Sequence, residues 1–585
     1  MSPIEKIKEN SKGLRGTLKE SLHDEHTGAI RPPDEALIKF HGMYQQDDRD
    51  VREERARKKL ENLFSFMIRL RIPGGFMTSD QWVAAHHVAG KYSTGVIKIT
   101  TRQTLQLHGI LKRNIKPVIK DFDRAKLDSI AACGDVNRNV ICSSNPNLTP
   151  IHKTIHAYAD KISTMLLPKT RAYYEIWLDE EKLFEYDETD PLYRELYLPR
   201  KFKIAIAIPP DNEVDVFGND IGLIAIIEPP SPLPACRTGR ERGGGEAKLK
   251  GFNIAVGGGL SATHGNPNTY PRLATVIGFV DTEEKTMKAV YEILTIQRDF
   301  GNRADRKLAR LKYTLDKMGV PAFKAELEKR CGFSLAEAKP FSFTKRADEF
   351  GWQQDHEGRW HFTLFVEHGR ITDTESGLSH GGLEVQGENS QDIKLKSGLL
   401  AIAETGLCNF RFTANQHVII SDVENEHKPT IEDLLIQFKF HEHNNQVSAV
   451  RKSSMACVAF NTCPLALAEA QRYLPKLITR IEGLMEKYNL QNDEISVRMT
   501  GCPNGCGRSP LAEIGFIGTA YGRYNLHLGG DHLGQRLNRK FKENLNEEEI
   551  LNELDTVLGR YVRDRKRSER FGDFVWNNIR LNNKL

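Results

Sequence analysis

Three short segments recur in the same order along this chain, and that recurrence restricts it to architectures made of two related halves. Ile97-Lys-Ile-Thr-Thr-Arg-Gln103 matches Phe410-Arg-Phe-Thr-Ala-Asn-Gln416 at an offset of 313 residues. Phe252-Asn-Ile-Ala-Val-Gly-Gly258 matches Tyr524-Asn-Leu-His-Leu-Gly-Gly530 at an offset of 272. Between them, Asn145-Pro146 and a helical run at about 151–167 correspond to Cys463-Pro464 and a run at about 465–488. Period-two alternation marks the first two pairs as strands, and the runs after the prolines carry helical period. The expectation is a pseudo-twofold α+β molecule with room for a large ligand between its halves.

Composition narrows the class. A chain of 585 residues allows roughly four domain-sized units. With 39% hydrophobic and 28% charged residues, it has the balance of a soluble protein with a large core. Lys and Arg number 83 against 78 Asp and Glu, a surplus too small to suggest a nucleic-acid partner. No run approaches the roughly 18 apolar residues of a membrane span. The N-terminus lacks an apolar signal region, so a cytoplasmic protein is expected. Residues 1–50 are polar and read as a surface arm; 229–246, rich in Pro, Gly and Arg, read as an exposed loop.

Nine cysteines in a reducing compartment are free thiols or metal ligands rather than disulfides. Four are grouped: Cys457-x5-Cys463, then Cys502-x3-Cys506 in the glycine-bearing turn Cys502-Pro-Asn-Gly-Cys506-Gly. Iron–sulfur clusters commonly take four thiolates. Structural zinc is the rival, although its cysteine pairs usually have shorter gaps than the first pair here. Unrelated buried thiols are the third reading. A single offset of 318 places Asn139 and Asn145 opposite Cys457 and Cys463, which gives one metal centre per chain.

Cations cluster in strand-like and turn-like segments: Arg69 and Arg71, Lys98 and Arg102, Arg138, Lys201 and Lys203, and the run from Arg298 to Lys312. Alternation puts Lys201 with Lys203, and Arg69 with Arg71, on common strand faces. On the surface such groups are ordinary solvated charge. Around a cavity they would hold an anion through charge-assisted hydrogen bonds and stabilise charge developing on it.

Met455-Ala-Cys-Val-Ala-Phe-Asn-Thr-Cys-Pro-Leu-Ala-Leu-Ala-Glu-Ala470 and Thr500-Gly-Cys-Pro-Asn-Gly-Cys-Gly-Arg508 resemble the cluster and sirohaem segments of the sulfite/nitrite reductase family. His41-Gly-Met-Tyr-Gln-Gln-Asp-Asp-Arg49 is similar to it as well, and the likeness runs from about Leu14 to Phe574. The resemblance implies two sirohaem/cluster-facing domains and a shared ferredoxin-like domain drawn from both repeats. Its boundaries are an N-terminal arm at 1–65, ferredoxin-like halves at 66–137 and 341–425, and cofactor-facing domains at 138–340 and 426–585. It implies that Cys457, Cys463, Cys502 and Cys506 hold a 4Fe-4S cluster and that Cys506 also bridges to the sirohaem iron. It further implies sirohaem contacts from Thr100, Arg102, Gln106, His108 and Arg310, and a substrate site of Arg69, Arg138, Lys201 and Lys203. The implied reaction is six-electron reduction of sulfite to sulfide, with the lysines relaying protons and the arginines positioning the anion. The implied electron donor is an NADPH-oxidising flavoprotein that the N-terminal arm helps to dock, with ferredoxin as the alternative. Gly257-Gly-Gly259 lacks the context of a dinucleotide fingerprint and is expected to admit the macrocycle. Nitrite reduction and a non-catalytic iron–sulfur role are the competing functions; the two lysines at 201 and 203 favour the doubly charged sulfite. Lys98 departs from the family's arginine, and 229–246 departs as an insertion.

Overall fold

A computed structural model of the chain describes residues 1–145, 149–181, 189–228, 247–373 and 393–580. The 229–246 loop lies outside them. Helices and strands are mixed along the chain, and the described strands form four five-stranded sheets in two matching pairs.

In the first pair, one sheet runs Met43–Asp47, Phe64–Arg69, Leu105–Ile110, Ile97–Ile99 and Arg370–Ile371. The other runs Gly351–Gln354, Trp360–Leu364, Val418–Val423, Asn409–Phe412 and Phe76–Thr78. Each takes its last strand from the opposite half: Arg370 pairs with Lys98, and Phe76 with Arg411. In the second pair, Ile141–Cys142, Ile204–Ala207 and Ile221–Glu228 lie parallel, and Lys248–Val256 and Thr275–Val280 follow antiparallel. Ser454–Ala456, Val497–Thr500, Ile514–Ala520, Arg523–Leu528 and Arg539–Leu545 repeat that order. The molecule is a duplicated α+β fold.

Strand register tests the offsets. Lys98 opposes Gln106 and Arg411 opposes Ile419, which preserves the 313 spacing. Ile221 opposes Val256 and Ile514 opposes Leu528, which preserves 272. The 318 offset fails. Ile141 opposes Ala205 as Met455 opposes Arg498, and Ile204 opposes Ile221 as Val497 opposes Ile514. The counterpart of Cys457 is therefore Ser143. Asn139 instead bonds the backbone of Ile72 through both amide atoms, at 2.8 and 2.7 Å.

The helix after Asn145 spans Pro150–Met165, close to expectation. The one after Cys463 begins only at Leu474 and ends at Lys487. The reason is local. The amides of Leu467 and Ala468 donate to the Gly501 carbonyl, and that of Gln471 to Cys457, so the chain wraps the cysteine turn before a helix can start. Pro475 then sits in the first turn, where its missing N–H costs nothing.

The helix Ser79–Tyr92 begins on a capping box between Thr78 and Gln81. It buries Trp82 against Phe410 of the other repeat, ring centroids 4.8 Å apart. One apolar core extends from Leu14 to Phe440, and a second lies within 450–579. Full burial of such large side chains contributes roughly 1.5–3 kcal/mol each.

The N-terminal residues do not form a surface arm. Glu5 and Lys8 are 1% exposed and pair with each other; Glu5 also pairs with Arg303, and Lys8 lies 3.7 Å from Asp135. Leu14, Leu18, Leu37 and Ile38 enter the core, and Met43–Asp47 is a sheet strand. Polar composition hid this because the buried charges neutralise one another.

His41 ties this segment down. Its Nε2–H donates to the Leu14 carbonyl at 3.2 Å, and its Nδ1 accepts from the Trp177 indole at 3.0 Å. Burial pushes the ring from 6.5 down to about 4. Between those values the unfolded chain takes a proton that the folded chain refuses, so stability falls as pH falls. At about pH 5 this one residue is expected to have removed about 2 kcal/mol. Thermal midpoints at about pH 7 and about pH 5 check it: wild type should lose more than His41→Gln. An equal loss in both would show that His41 does not contribute.

Candidate functional site

The four grouped cysteines come together from two loops of the second repeat. Backbone crowding fixes the Thr500–Arg508 turn. Gly505 has φ +67°, and a Cβ there would sit 2.7 Å from the Leu260 carbonyl oxygen; one on Gly507 would sit 2.5 Å from that of Met499. Only glycine fits either place. The Gly501 N–H points to Cys457 Sγ at 3.4 Å, Asn504 Nδ2 donates to Cys502 Sγ at 3.4 Å, and Thr101 Oγ1 donates to the Cys506 carbonyl at 3.1 Å.

Burial raises the thiols of Cys457, Cys463 and Cys502, and each is raised further by its cysteine neighbours. Such a quartet ionises only when a cationic group shares its charge. Among the described residues no three His, Cys, Asp or Glu side chains are placed to hold a single metal ion. Four cysteines close enough for their charges to act on one another suit a metal–sulfur group that takes four thiolates.

A cavity beside this turn is lined by Arg102, Lys201, Lys203, Arg310, Cys506 and Arg508. Lys201 and Lys203 flank Phe202, which bridges to Asn137, so both extend to the same side. Neither ammonium bonds another described residue. Burial and then Arg138 push Lys201 down to about 7; burial and then Lys201 push Lys203 well down too. Arg102 donates to Asn219 Oδ1 at 2.6 Å and to the Ile204 carbonyl at 2.9 Å, while its Nε stays buried without a partner. Burial brings it down to about 9. Arg310 is held by both oxygens of Asp220, at 3.1 and 2.7 Å.

Arg69 has Nη1 3.0 Å from Cys133 Sγ and a buried Nε without a partner. Arg138 donates to Tyr44 Oη at 3.3 Å. Gln106 lies opposite both Arg69 and Lys98 in the sheet. Thr100 accepts from the Arg102 amide at 3.1 Å and so shapes the turn that presents the guanidinium. His108 bonds Gln46 Oε1 through Nδ1 at 3.0 Å, which leaves Nε2 buried and unpartnered; burial takes the ring down to about 3. It lines a second cavity with Lys98, Arg370 and Thr462. Lys98 donates to the His368 carbonyl.

Of the residues named from sequence, Arg102, Lys201, Lys203, Arg310 and Cys506 line the first cavity and His108 the second, while Thr100, Gln106, Arg69 and Arg138 line neither. The rest of the basic pattern has other work. Arg71 leaves the strand face of Arg69 and pairs with Asp128, Arg298 with Asp299, Arg303 with Glu5 and Arg306 with Asp135. Gly258 does not admit a macrocycle: a Cβ there would meet the Phe217 carbonyl oxygen at 2.1 Å, so its close approach is to the chain itself.

Sirohaem is a polycarboxylate, and the seam fits one. The first cavity has more cations than carboxylates in its lining, and the buried Nε atoms of Arg102 and Arg508 have no partner. The symmetry-related cavity, lined by Asp211, Glu213, Asp348 and Glu349, has the opposite character. Register places Glu213 where the second repeat has Cys506, Thr363 where the first has Arg69, and Ile419 where it has Gln106. Ser143, the mate of Cys457, donates to Glu213 at 3.4 Å. Burial and Asp211 push Glu213 up to about 8. Only one half of the duplication can therefore receive an anionic macrocycle and a thiolate-bound cluster.

Comparison with known proteins agrees with this geometry. A family model described as "Nitrite and sulphite reductase 4Fe-4S domain" matches residues 157–335, and one described as "Nitrite/Sulfite reductase ferredoxin-like half domain" matches 59–125. The solved structure of the Mycobacterium tuberculosis NirA protein covers 97% of this chain and 94% of its own, with TM-score 0.73 at 23% identity, a likeness of fold. A Leptospira biflexa protein named sulfite reductase (NADPH) hemoprotein beta-component is 58% identical, covering 98% of this chain and 97% of its own length. A Bacillus licheniformis protein of the same name is 50% identical over 98% of this chain and 95% of its own. Identity of that extent, on a duplicated fold with thiols and cations at one seam, means that the chain belongs to the nitrite and sulfite reductase family.

Proposed function

We propose that this chain is the catalytic hemoprotein of a sulfite reductase, taking sulfite to sulfide at a sirohaem coupled to a 4Fe-4S cluster. The grouping of four thiols beside a cavity lined by Cys506, Lys201, Lys203 and three arginines carries the reading. Cys457, Cys463, Cys502 and Cys506 would hold the cluster, with Cys506 shared with the haem iron. Thr100, Arg102, Gln106, His108 and Arg310 would surround the macrocycle. When bound, the two groups supply the iron centre and the electrons.

The chain's own residues must then deliver the rest. Sulfite, six electrons and eight protons give hydrogen sulfide and three waters, so anion binding and proton delivery are both needed. Arg69 and Arg138 offer planar forks that can orient an oxyanion. Lys201 and Lys203 are ammonium groups with lowered proton affinity, suited to passing protons as oxygen leaves as water. Two extra cations favour sulfite over singly charged nitrite.

The donor in this reading is an NADPH-oxidising flavoprotein, in line with the name that the curated relatives carry. The reaction belongs to the cytoplasm, where thiols stay reduced; no described helix is long and apolar enough to cross a membrane.

The visible spectrum of the purified holoprotein, with and without sulfite, tests the proposal alongside iron analysis. Sirohaem bands that move with sulfite and about five irons per chain are expected. A zinc-bearing colourless protein would overturn it. Turnover sustained by ferredoxin but not by the flavoprotein would reassign the donor.

A further inference from the structure

Register makes Asp215 and Arg508 the same position in the two repeats, since Ile204 and Ile221 correspond to Val497 and Ile514 with equal spacing. Both are left-handed, at φ +50° and +57°, and each precedes a short 3-10 turn, Val216–Gly218 or Ser509–Leu511. The mates meet: Arg508 Nη1 donates to Asp215 Oδ2 at 2.7 Å. Arg498 Nη1 donates to the same oxygen, also at 2.7 Å. Arg346 Nε lies 2.7 Å from the other oxygen. All four side chains are at least nine-tenths buried.

Their places in sequence give the arrangement its meaning. Arg498 lies on the strand that leads into Cys502, and Arg508 follows Cys506 by two residues. One carboxylate oxygen from the first repeat thus closes the stem of the second repeat's cysteine turn. Arg508 also bonds the Glu213 carbonyl at 3.1 Å and that of Ala414, so the exit of the turn is fixed to two other segments at once. Asp215 lies between the strands Ile204–Ala207 and Ile221–Glu228, and Lys201 and Lys203 immediately precede the first. Asp215 and Arg508 both line the cavity that holds Cys506 and the two lysines.

We infer that Asp215 and Arg508 are positioning residues: this pair, on the pseudo-twofold axis, sets the distance and angle between Cys506 and the Lys201–Lys203 wall. The inference rests on the proposed role of Cys506. Removing the shared oxygen frees both ends of the turn, and three guanidiniums then repel across the axis. Iron need not be lost, because the four thiols remain. What changes is how the cluster and the haem iron are held against each other and against the lysines.

The test compares wild-type holoprotein with Asp215→Asn and Arg508→Lys, and uses Asp215→Glu as a milder variant should either fail to accumulate. Iron and sirohaem per chain, the visible and electron paramagnetic resonance spectra, and kcat and KM for sulfite with a small-molecule reductant are measured. The expected result is near-complete iron, an altered haem-iron resonance and a kcat at least tenfold lower, with KM changed much less. Full loading with wild-type spectra and kcat would overturn the inference. So would loss of iron from Asp215→Asn while Arg508→Lys and Asp215→Glu keep wild-type spectra and turnover, since that is the pattern of a purely structural ion pair. Wild-type protein without cluster iron would instead defeat the reading of Cys506.

Discussion

Cys506→Ser is expected to abolish sulfite reduction and to strip most cluster iron from an otherwise folded chain. Serine keeps the size and the backbone geometry that Gly505 and Gly507 impose. What it removes is a soft thiolate, and a hydroxyl does not ionise in its place. Among the four cysteines only Cys506 is exposed to the cavity, beside Lys201, Lys203 and Arg310. Its loss should therefore uncouple the cationic wall from the metal centre as well as removing a ligand. Losing a mere outer-shell partner costs a metal site up to about a hundredfold, and losing a shared ligand should exceed that. Iron per chain, the visible spectrum and turnover with a chemical reductant measure the three consequences separately. Retained turnover with full iron would refute the assignment of Cys506.

The acidic twin of the site gives an independent reason why this cysteine matters. At the same point of the fold the first repeat carries Glu213, buried and hydrogen-bonded to the Ser144 amide at 3.1 Å. Backbone geometry is shared between the repeats, so chemistry diverged while the scaffold was held. The cationic seam around Cys506 and the acidic pocket around Glu213 are one architecture with opposite charge.

How much of this could be read beforehand depended on how local each role is. The cysteine spacing and the Lys201/Lys203 doublet announce themselves, because each is a run of chemistry within a few residues. The halves were visible through strands whose alternation is intrinsic. Asp215 was invisible: an aspartate with no motif gains its role only when three arginines from distant segments fold around it. Arg303 and Arg306 misled in the other direction. They belong to a basic run, yet Glu5 and Asp135 consume them. The false equivalence of Asn139 with Cys457 has a similar cause, since gaps between repeats leave no trace in composition and only register reveals them. The late start at Leu474 shows tertiary contact overriding helical period, as the amides before it are taken by Gly501 and Cys457.

Lys203→Met should lower kcat/KM for sulfite by about ten- to a hundredfold, the worth of one charge-assisted hydrogen bond to a buried anion. Lys201→Arg separates charge from proton delivery. Burial and its cationic neighbours bring Lys201 down to about 7 in the bare chain, and the carboxylates of a bound sirohaem would raise it; either way the ammonium form is lost as pH rises through the lysine's pKa. A bound dianion favours the ammonium, so the basic limb in kcat should lie above the limb in kcat/KM, which reports the holoprotein free of substrate. Arginine at 201 stays charged throughout and gives up its proton far less readily. It should therefore flatten the basic limb of kcat/KM while lowering kcat. Sulfite's own protonation is common to both proteins and cancels in the comparison. If Lys201→Arg turned over at the wild-type rate with the wild-type pH profile, the lysine would be a binding charge only, and the protons would have to come through another route.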